Sequence, residues 1–466
     1  MDRRRFLAAL PVASAAGAAG PAPEITFDGT RPGRPVRALH GVNGGPLAVG
    51  GTLDVTARWK EAAFPLARLH DCRWPNPDVV DIHAVFPNPA ADPDRPDSYD
   101  FERTDEYVSA VLATGAQIVF RLGESIEHQR VKRHARPPRD PARWAAACVG
   151  VARHYTAGWA GGFRHPIRHW EVWNEPDNRP ACWTGSDDDY FRLYGLTAKA
   201  LRAALPELKV GGPAVGNTGK LEGDRLDPPP FVSNFLARCR ADGAPLDFFS
   251  WHCYTNDPGE LSRRAVGVRR LLDAAGFGAA ESHLNEWNHL PGNDWAGMLS
   301  ADAEARQRWY DRVCGVEGAA FTAAALIRLQ DAPVDAANLF TAEPGGMGLF
   351  GPHGTATASF AAVRAFARVA GLAGRLRMLT ELPDGVAALA AAGENEAAVL
   401  LARPGGRAGS VIVRVSPAPW AGATRYEVQR VTAGGKLERV AGGDGWRVPV
   451  ELGAPGVALV TFRRGA

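Results

Sequence analysis

From residue 36 to about 374, short apolar runs alternate with longer stretches whose apolar positions recur at helical spacing. The runs at 36–42, 65–69, 117–122, 168–173, 208–212, 246–251, 283–286 and 326–329 predict strands. Between them, 103–114, 141–160, 187–204, 231–240, 260–275 and 301–320 predict helices. Strands and helices in strict alternation make parallel βα units, and eight units close on themselves. The predicted class is therefore α/β, a (β/α)8 barrel over residues 36–374. After residue 375 the pattern shortens to runs at 386–391, 397–402, 410–415, 425–431 and 457–462, broken by Gly, Pro and Asp. That spacing predicts a C-terminal β-sandwich over 375–466. Within the N-terminal segment 23–35, the stretch 24–28 is expected to add a strand to this sandwich and bring the chain ends together. Residues 74–99 carry too many Pro and Asp for a helix and predict a long loop after strand two. Long loops at that end of a barrel shape sites.

Composition narrows the classes. Of 466 residues, 45% are apolar and 22% charged, as in globular proteins. Lys plus Arg is 53 against 51 Asp plus Glu, so no basic excess argues for a nucleic-acid partner. Arg3, Arg4, Phe6 and Leu7, followed by an Ala-rich run to Gly20, match a twin-arginine export signal over residues 1–22. A periplasmic or secreted protein is expected. No other stretch approaches the roughly 18 apolar residues of a membrane span, so no membrane contact is expected of the mature form. The six Cys form no C-x-x-C pair, which weakens zinc and dithiol readings. Cys72 and Cys253, each just past a predicted strand, leave a single bridge open.

Barrel sites lie at the C-terminal ends of the strands, so the strand endings carry the chemistry. Strand one ends near Asn43, strand two in Arg68, His70 and Asp71, and strand three in Arg121 and Glu124. Strand four ends in Trp173, Asn174 and Glu175, strand six in Trp251, His252 and Tyr254, strand seven in Asn285, Glu286, Trp287 and Asn288. Gln330 and Asp331 follow the predicted strand eight. Strands four and seven lie across the mouth, so Glu175 and Glu286 are placed to face one ligand. Two carboxylates suit glycosidic cleavage: one protonates the leaving oxygen while the other attacks the anomeric carbon. Their mutual repulsion raises the pKa of one and separates the roles. Trp173, Trp183, Trp251, Trp287 and Trp295 fall near these loops, where a ring face stacks on a sugar.

HWEVWNEPD at 169–177 resembles the strand-four signature of retaining (β/α)8 glycoside hydrolases, and HLNEWN at 283–288 is similar to their strand-seven segment. LARLHD at 66–71 and DFFSWHCYT at 247–255 resemble segments of glycoside hydrolase family 39, which holds β-xylosidases and α-L-iduronidases. The resemblance implies Glu175 as acid/base and Glu286 as nucleophile. It further implies Asn174 on the sugar 2-hydroxyl, Arg68 and Tyr254 holding the nucleophile, and His70 and His252 on sugar hydroxyls. Trp287, Glu124 and Gln330 complete the expected substrate-binding set.

Two departures stand out. Leu329, Gln330 and Asp331 occupy the place where the family pattern has an acidic or Trp-bearing end to strand eight. The loop 123–139 holds Glu124, Glu127, His128, Arg130, Lys132, Arg133 and His134, more charge than a neutral pentose needs. A solvated face accounts for it, as does recognition of a uronic-acid carboxylate. Rival chemistries lack their motifs: there is no H-E-x-x-H, no G-x-S-x-G and no P-loop. The expected protein is a retaining, exo-acting, β-xylosidase-like O-glycosyl hydrolase that takes an oligosaccharide or glycoside and needs no cofactor or metal. Uronidase, arabinosidase, galactosidase or endo-acting specificities, and a non-catalytic glycan-binding barrel, are the alternatives.

Overall fold

The structure, a computed structural model, describes residues 21–30, 32–72, 79–345 and 347–465. The export signal's Arg3, Arg4, Phe6 and Leu7 lie outside the described residues.

Eight parallel strands close a barrel in chain order: Gly41–Asn43, Leu66–Leu69, Gln117–Leu122, His169–Val172, Lys209–Val215, Phe248–Thr255, Glu281–His289 and Ala336–Leu339. They are called strands one to eight below. The first seven coincide with the runs read from the sequence to within a few residues. Strand eight does not, because residues 326–329 end a helix, Val316–Arg328, and lead into a 3-10 turn, Leu329–Asp331. That helix is buried along most of its length and packs against the sandwich as well as the barrel. An apolar run buried all round reads alike as helix or strand, which is why periodicity misassigned it.

A four-stranded and a six-stranded sheet form the sandwich. Glu24–Asp28 runs parallel to Gly409–Val415 inside the smaller sheet. Ala387–Ala392 and Glu396–Arg403 read as almost unbroken apolar runs because both of their faces are buried. Ala388, Ala390, Val399 and Leu401 join the sandwich core, while Leu389, Ala391, Ala398 and Leu400 join the barrel core. Besides the two-residue strands Gly374–Arg375 and Arg377–Met378, two longer sandwich strands escape sequence reading. Leu437–Asp444 is exposed almost throughout and has no alternation to show, and Arg447–Leu452 carries Pro449 at an outward position. All six cysteines are free thiols.

At the barrel's N-terminal end, Glu281 ties strands four, five and seven. It accepts from His169 Nε2 at 2.9 Å, from His283 Nε2 at 3.0 Å and from Lys209 Nζ. Burial pushes the Glu281 carboxyl up, but these three donors outweigh it and hold the group well below its ordinary value. A depressed carboxylate contributes stability that is fully present above its unfolded value and fades as pH falls below it. Glu281→Gln is therefore expected to lower the melting temperature at pH 7, with the difference from wild type narrowing below about pH 4.5. Melting curves at pH 7 and pH 3 check this, and a constant difference would count against it.

Candidate active site

Arg68 on strand two is fully buried and organises the floor of the mouth. Its Nε donates to Glu171 Oε2 at 2.7 Å, its Nη1 to Glu286 Oε2 at 3.1 Å and to Asn43 Oδ1 at 3.2 Å, and its Nη2 to Asn174 Oδ1 at 2.7 Å. Asn285 Nδ2 donates to the other oxygen of Glu171. Asn285 and Glu286 both reach this interior because strand seven bulges: Trp251 aligns with Leu284 but His252 aligns with Glu286, leaving Asn285 as the extra residue. Tyr254 O–H donates to Glu286 Oε1 at 2.5 Å, so both oxygens of Glu286 are held.

Glu175 is held as firmly, from strand four. Its backbone adopts φ 43°, two residues after Trp173 at φ 74°. Side chains other than glycine enter that left-handed region at a cost of about 1–3 kcal/mol, maintained when the surroundings fix the geometry. Here Glu175 N–H donates to the Ala214 carbonyl at 3.0 Å, Asn178 Nδ2 donates to Glu175 Oε2 at 2.8 Å, and Cys182 Sγ lies 3.7 Å from the same oxygen. Gly216 makes room, since a Cβ there would stand 2.9 Å from Glu175 Oε1.

His252 sits between the two carboxylates, its Nδ1 donating to Glu175 Oε1 at 2.8 Å and lying 3.6 Å from Glu286 Oε2. That nitrogen and one oxygen from each Glu all fall within 4.8 Å of one another. Carboxyl groups about 5–5.5 Å apart suit double displacement, whereas inversion needs about 6.5–9.5 Å for an intervening water. Burial pushes the Glu175 carboxyl up, but the hydrogen bond and charge of His252, with Asn178 and Arg68, outweigh it and leave the group below its ordinary value. Burial pushes His252 down, but the charges of Glu286 and Glu175 lift it above 6.5. The imidazole is thus the more basic member of the pair, and its Nδ1 stands one hydrogen bond from Glu175 Oε1.

This coupling predicts a pH profile. The last proton of a coupled pair leaves no earlier than its more basic member permits. The basic limb of kcat/KM is therefore expected above pH 6.5, the ordinary value from which His252 is raised. In His252→Asn that limb should move toward acid, because a lone carboxyl then holds the proton. Rate profiles of both proteins test it, and an unmoved limb would remove His252 from the proton inventory.

Asn174, Arg68, Tyr254 and His252 gather at the pair, although His252 is turned to Glu175. His70 is buried, 3.4 Å from Asp71, whose carboxyl burial pushes up to about 6. Glu124 accepts from His83 Nδ1 beyond strand three, and burial pushes it up to about 7. Two expected residues are misplaced. Trp287 is fully buried and packs on Phe321 of the helix Val316–Arg328, because neighbours of inward residues on a strand point outward. Gln330 lies at the opposite end of the barrel, bonded to the backbone of Arg37 and lining a cavity of about 1350 Å³ beside the sandwich. Strand eight instead leads to Thr341 and Glu343, and Glu343 accepts from Tyr107 O–H at 2.5 Å. Trp173, Trp183 and Trp251 are buried, which leaves Trp295, packed edge-on against Tyr254 at 4.9 Å, as the half-buried ring among those five. Sequence reading also passed over Glu171, although it stands four residues before Glu175 in the quoted segment.

Fold and site together define a class, the (β/α)8 barrels that oppose carboxylates from strands four and seven at retaining distance. Within that class the likeness to family 39 read from the sequence is borne out, since the family described as glycosyl hydrolases family 39 matches residues 78–269. A β-xylosidase of Caldicellulosiruptor saccharolyticus is 28% identical over 204 residues, 40% of this chain and 36% of that protein. The match thus spans about a third of that relative's length. A glucosidase structure from Croceicoccus marinus superposes with a TM-score of 0.80 at 26% identity, covering 96% of this chain and 100% of that one. A monomeric β-xylosidase from Caulobacter crescentus gives 0.71 at 20% identity, again covering 96% and 100%.

Proposed function

We propose that the protein is a retaining, exo-acting β-glycosidase of the xylosidase type, working by double displacement. The observation that carries this reading is the spacing of Glu175 and Glu286, each carboxylate pinned by its own set of donors. Glu286 attacks the anomeric carbon while Glu175, having taken the proton from His252 Nδ1, gives it to the leaving oxygen. In the second step Glu175 deprotonates the water that releases the sugar. Asn174, fixed through Arg68, is placed for the 2-hydroxyl, and Trp295 for the sugar face. Its substrate is an oligosaccharide or glycoside, and a β-glucoside is the second reading because of the Croceicoccus marinus glucosidase. The Arg3–Arg4 motif supports export to the periplasm or medium.

A proton NMR time course on aryl β-D-xyloside, β-D-glucoside, β-D-galactoside, α-L-arabinopyranoside and α-L-iduronide tests the reading. The β-anomer should appear first from xyloside or glucoside. First release of the α-anomer from these would overturn double displacement, and cleavage of the iduronide alone would overturn the substrate class.

A further inference from the structure

We propose that His83, Glu124 and His134 form a binding site for one divalent transition-metal cation of the zinc type, at the rim of the barrel mouth. The site does not depend on the glycosidase reading. His83 lies on the short helix Ile82–Val85 in the loop after strand two, Glu124 two residues beyond strand three, and His134 further along that second loop. One ligand atom from each falls within 4.8 Å of the others. The imidazoles of His83 and His134 stack with centroids 3.6 Å apart and planes 16° apart, which holds the two rings side by side, and the rings open from this stack to aim both nitrogens at one ion. Glu124 is 7% exposed and accepts from His83 Nδ1.

The surrounding backbone fixes these ligands in advance. Glu127 accepts N–H groups from Arg133, His134 and Ala135 at 2.8–3.0 Å, which folds the second loop back so that His134 lands on His83. Lys132 Nζ closes the same turn on the carbonyls of Glu127 and Gln129. Asp81, next to the helix bearing His83, takes Arg121 Nη2 at 2.5 Å and the Ser125 N–H at 2.7 Å, tying the first loop to the second. A carboxylate so placed costs less when a cation shares its pocket.

Donor chemistry selects the ion. Two imidazoles and one carboxylate suit zinc and its neighbours, whereas magnesium and calcium take oxygen ligands. Zinc bonds of about 2.0–2.1 Å put tetrahedral ligand atoms about 3.3 Å apart. Atoms already within 4.8 Å close to that spacing as the stacked rings of His83 and His134 open toward the ion. At the mouth, the ion would latch the loops after strands two and three to each other.

The test uses the full-length protein after chelation and gel filtration, titrated with Zn²⁺ by calorimetry and with Co²⁺ by visible absorption. One equivalent should bind, with the ligand-field bands of an imidazole-bearing site, and Zn²⁺ should raise the melting temperature. His83→Ala and His134→Ala should each weaken binding by at least about 100-fold, more than loss of an outer-sphere partner does. Their circular dichroism should match wild type, and His134 tests the site even where His83→Ala perturbs its helix. His169→Ala should bind as wild type does. Absence of stoichiometric binding in wild type overturns the proposal, and so does undiminished binding in both His variants. Loss of binding in His252→Asn with retention in His83→Ala and His134→Ala would overturn it too, placing the ion at the carboxylate pair.

Discussion

Glu286→Gln is expected to lower kcat by at least about 10⁴-fold on every aryl glycoside the wild type cleaves, with secondary structure retained. The amide keeps the volume and one acceptor for Tyr254, but it cannot form the covalent bond to the anomeric carbon. No leaving group, however acidic, rescues a missing nucleophile. Glu175→Gln should behave differently. General acid help is worth about 10²–10⁴-fold, and a phenol of low pKa leaves without it. That variant should therefore cleave an activated aryl glycoside in a rapid first turnover and then stall, since nothing activates the water. Steady-state rates across leaving groups, with a stopped-flow burst for Glu175→Gln, separate the two roles. Should Glu286→Gln keep more than a few per cent of wild-type kcat, the nucleophile has been misassigned.

Arg68 carries the second large effect, and it extends to stability. Its guanidinium serves Glu171, Glu286, Asn43 and Asn174 with no exposure to solvent. Removing one partner from a buried charge network costs about 3–5 kcal/mol, because the charges left behind stay desolvated. Arg68→Met should thus destabilise the fold by that order, measured by denaturant unfolding, and abolish turnover. Arg68→Lys separates the two consequences. An ammonium restores the charge but cannot span four acceptors as a planar fork does. Most of the stability should return, while kcat stays about 10²–10³-fold down, the scale of losing a fixed donor at a reacting group. Wild-type turnover in Arg68→Lys would mean that Glu286 is positioned by Tyr254 alone.

The sequence by itself determined the barrel, the sandwich and the identity of the opposed carboxylates. Seven strands showed because each is a short apolar run between polar helical faces, a pattern written in nearest neighbours. Glu175 and Glu286 showed because each stands in a local segment whose chemistry is recognisable without knowing what it touches. Strand eight did not show, since the helix before it is buried on all sides and has lost its polar face. With that strand misplaced, Gln330 was assigned to the wrong end of the barrel and the approach to Glu343 was lost. Asn285 was missed as an inward residue because the bulge that turns it in is a property of two paired strands, while Trp287, next after Glu286, faces outward by ordinary alternation. Only the tertiary structure set His252 between the carboxylates, built the Arg68 network and brought His83 onto His134 from separate loops. These are contacts between residues far apart in the chain, and local pattern carries no information about which distant partner a side chain meets.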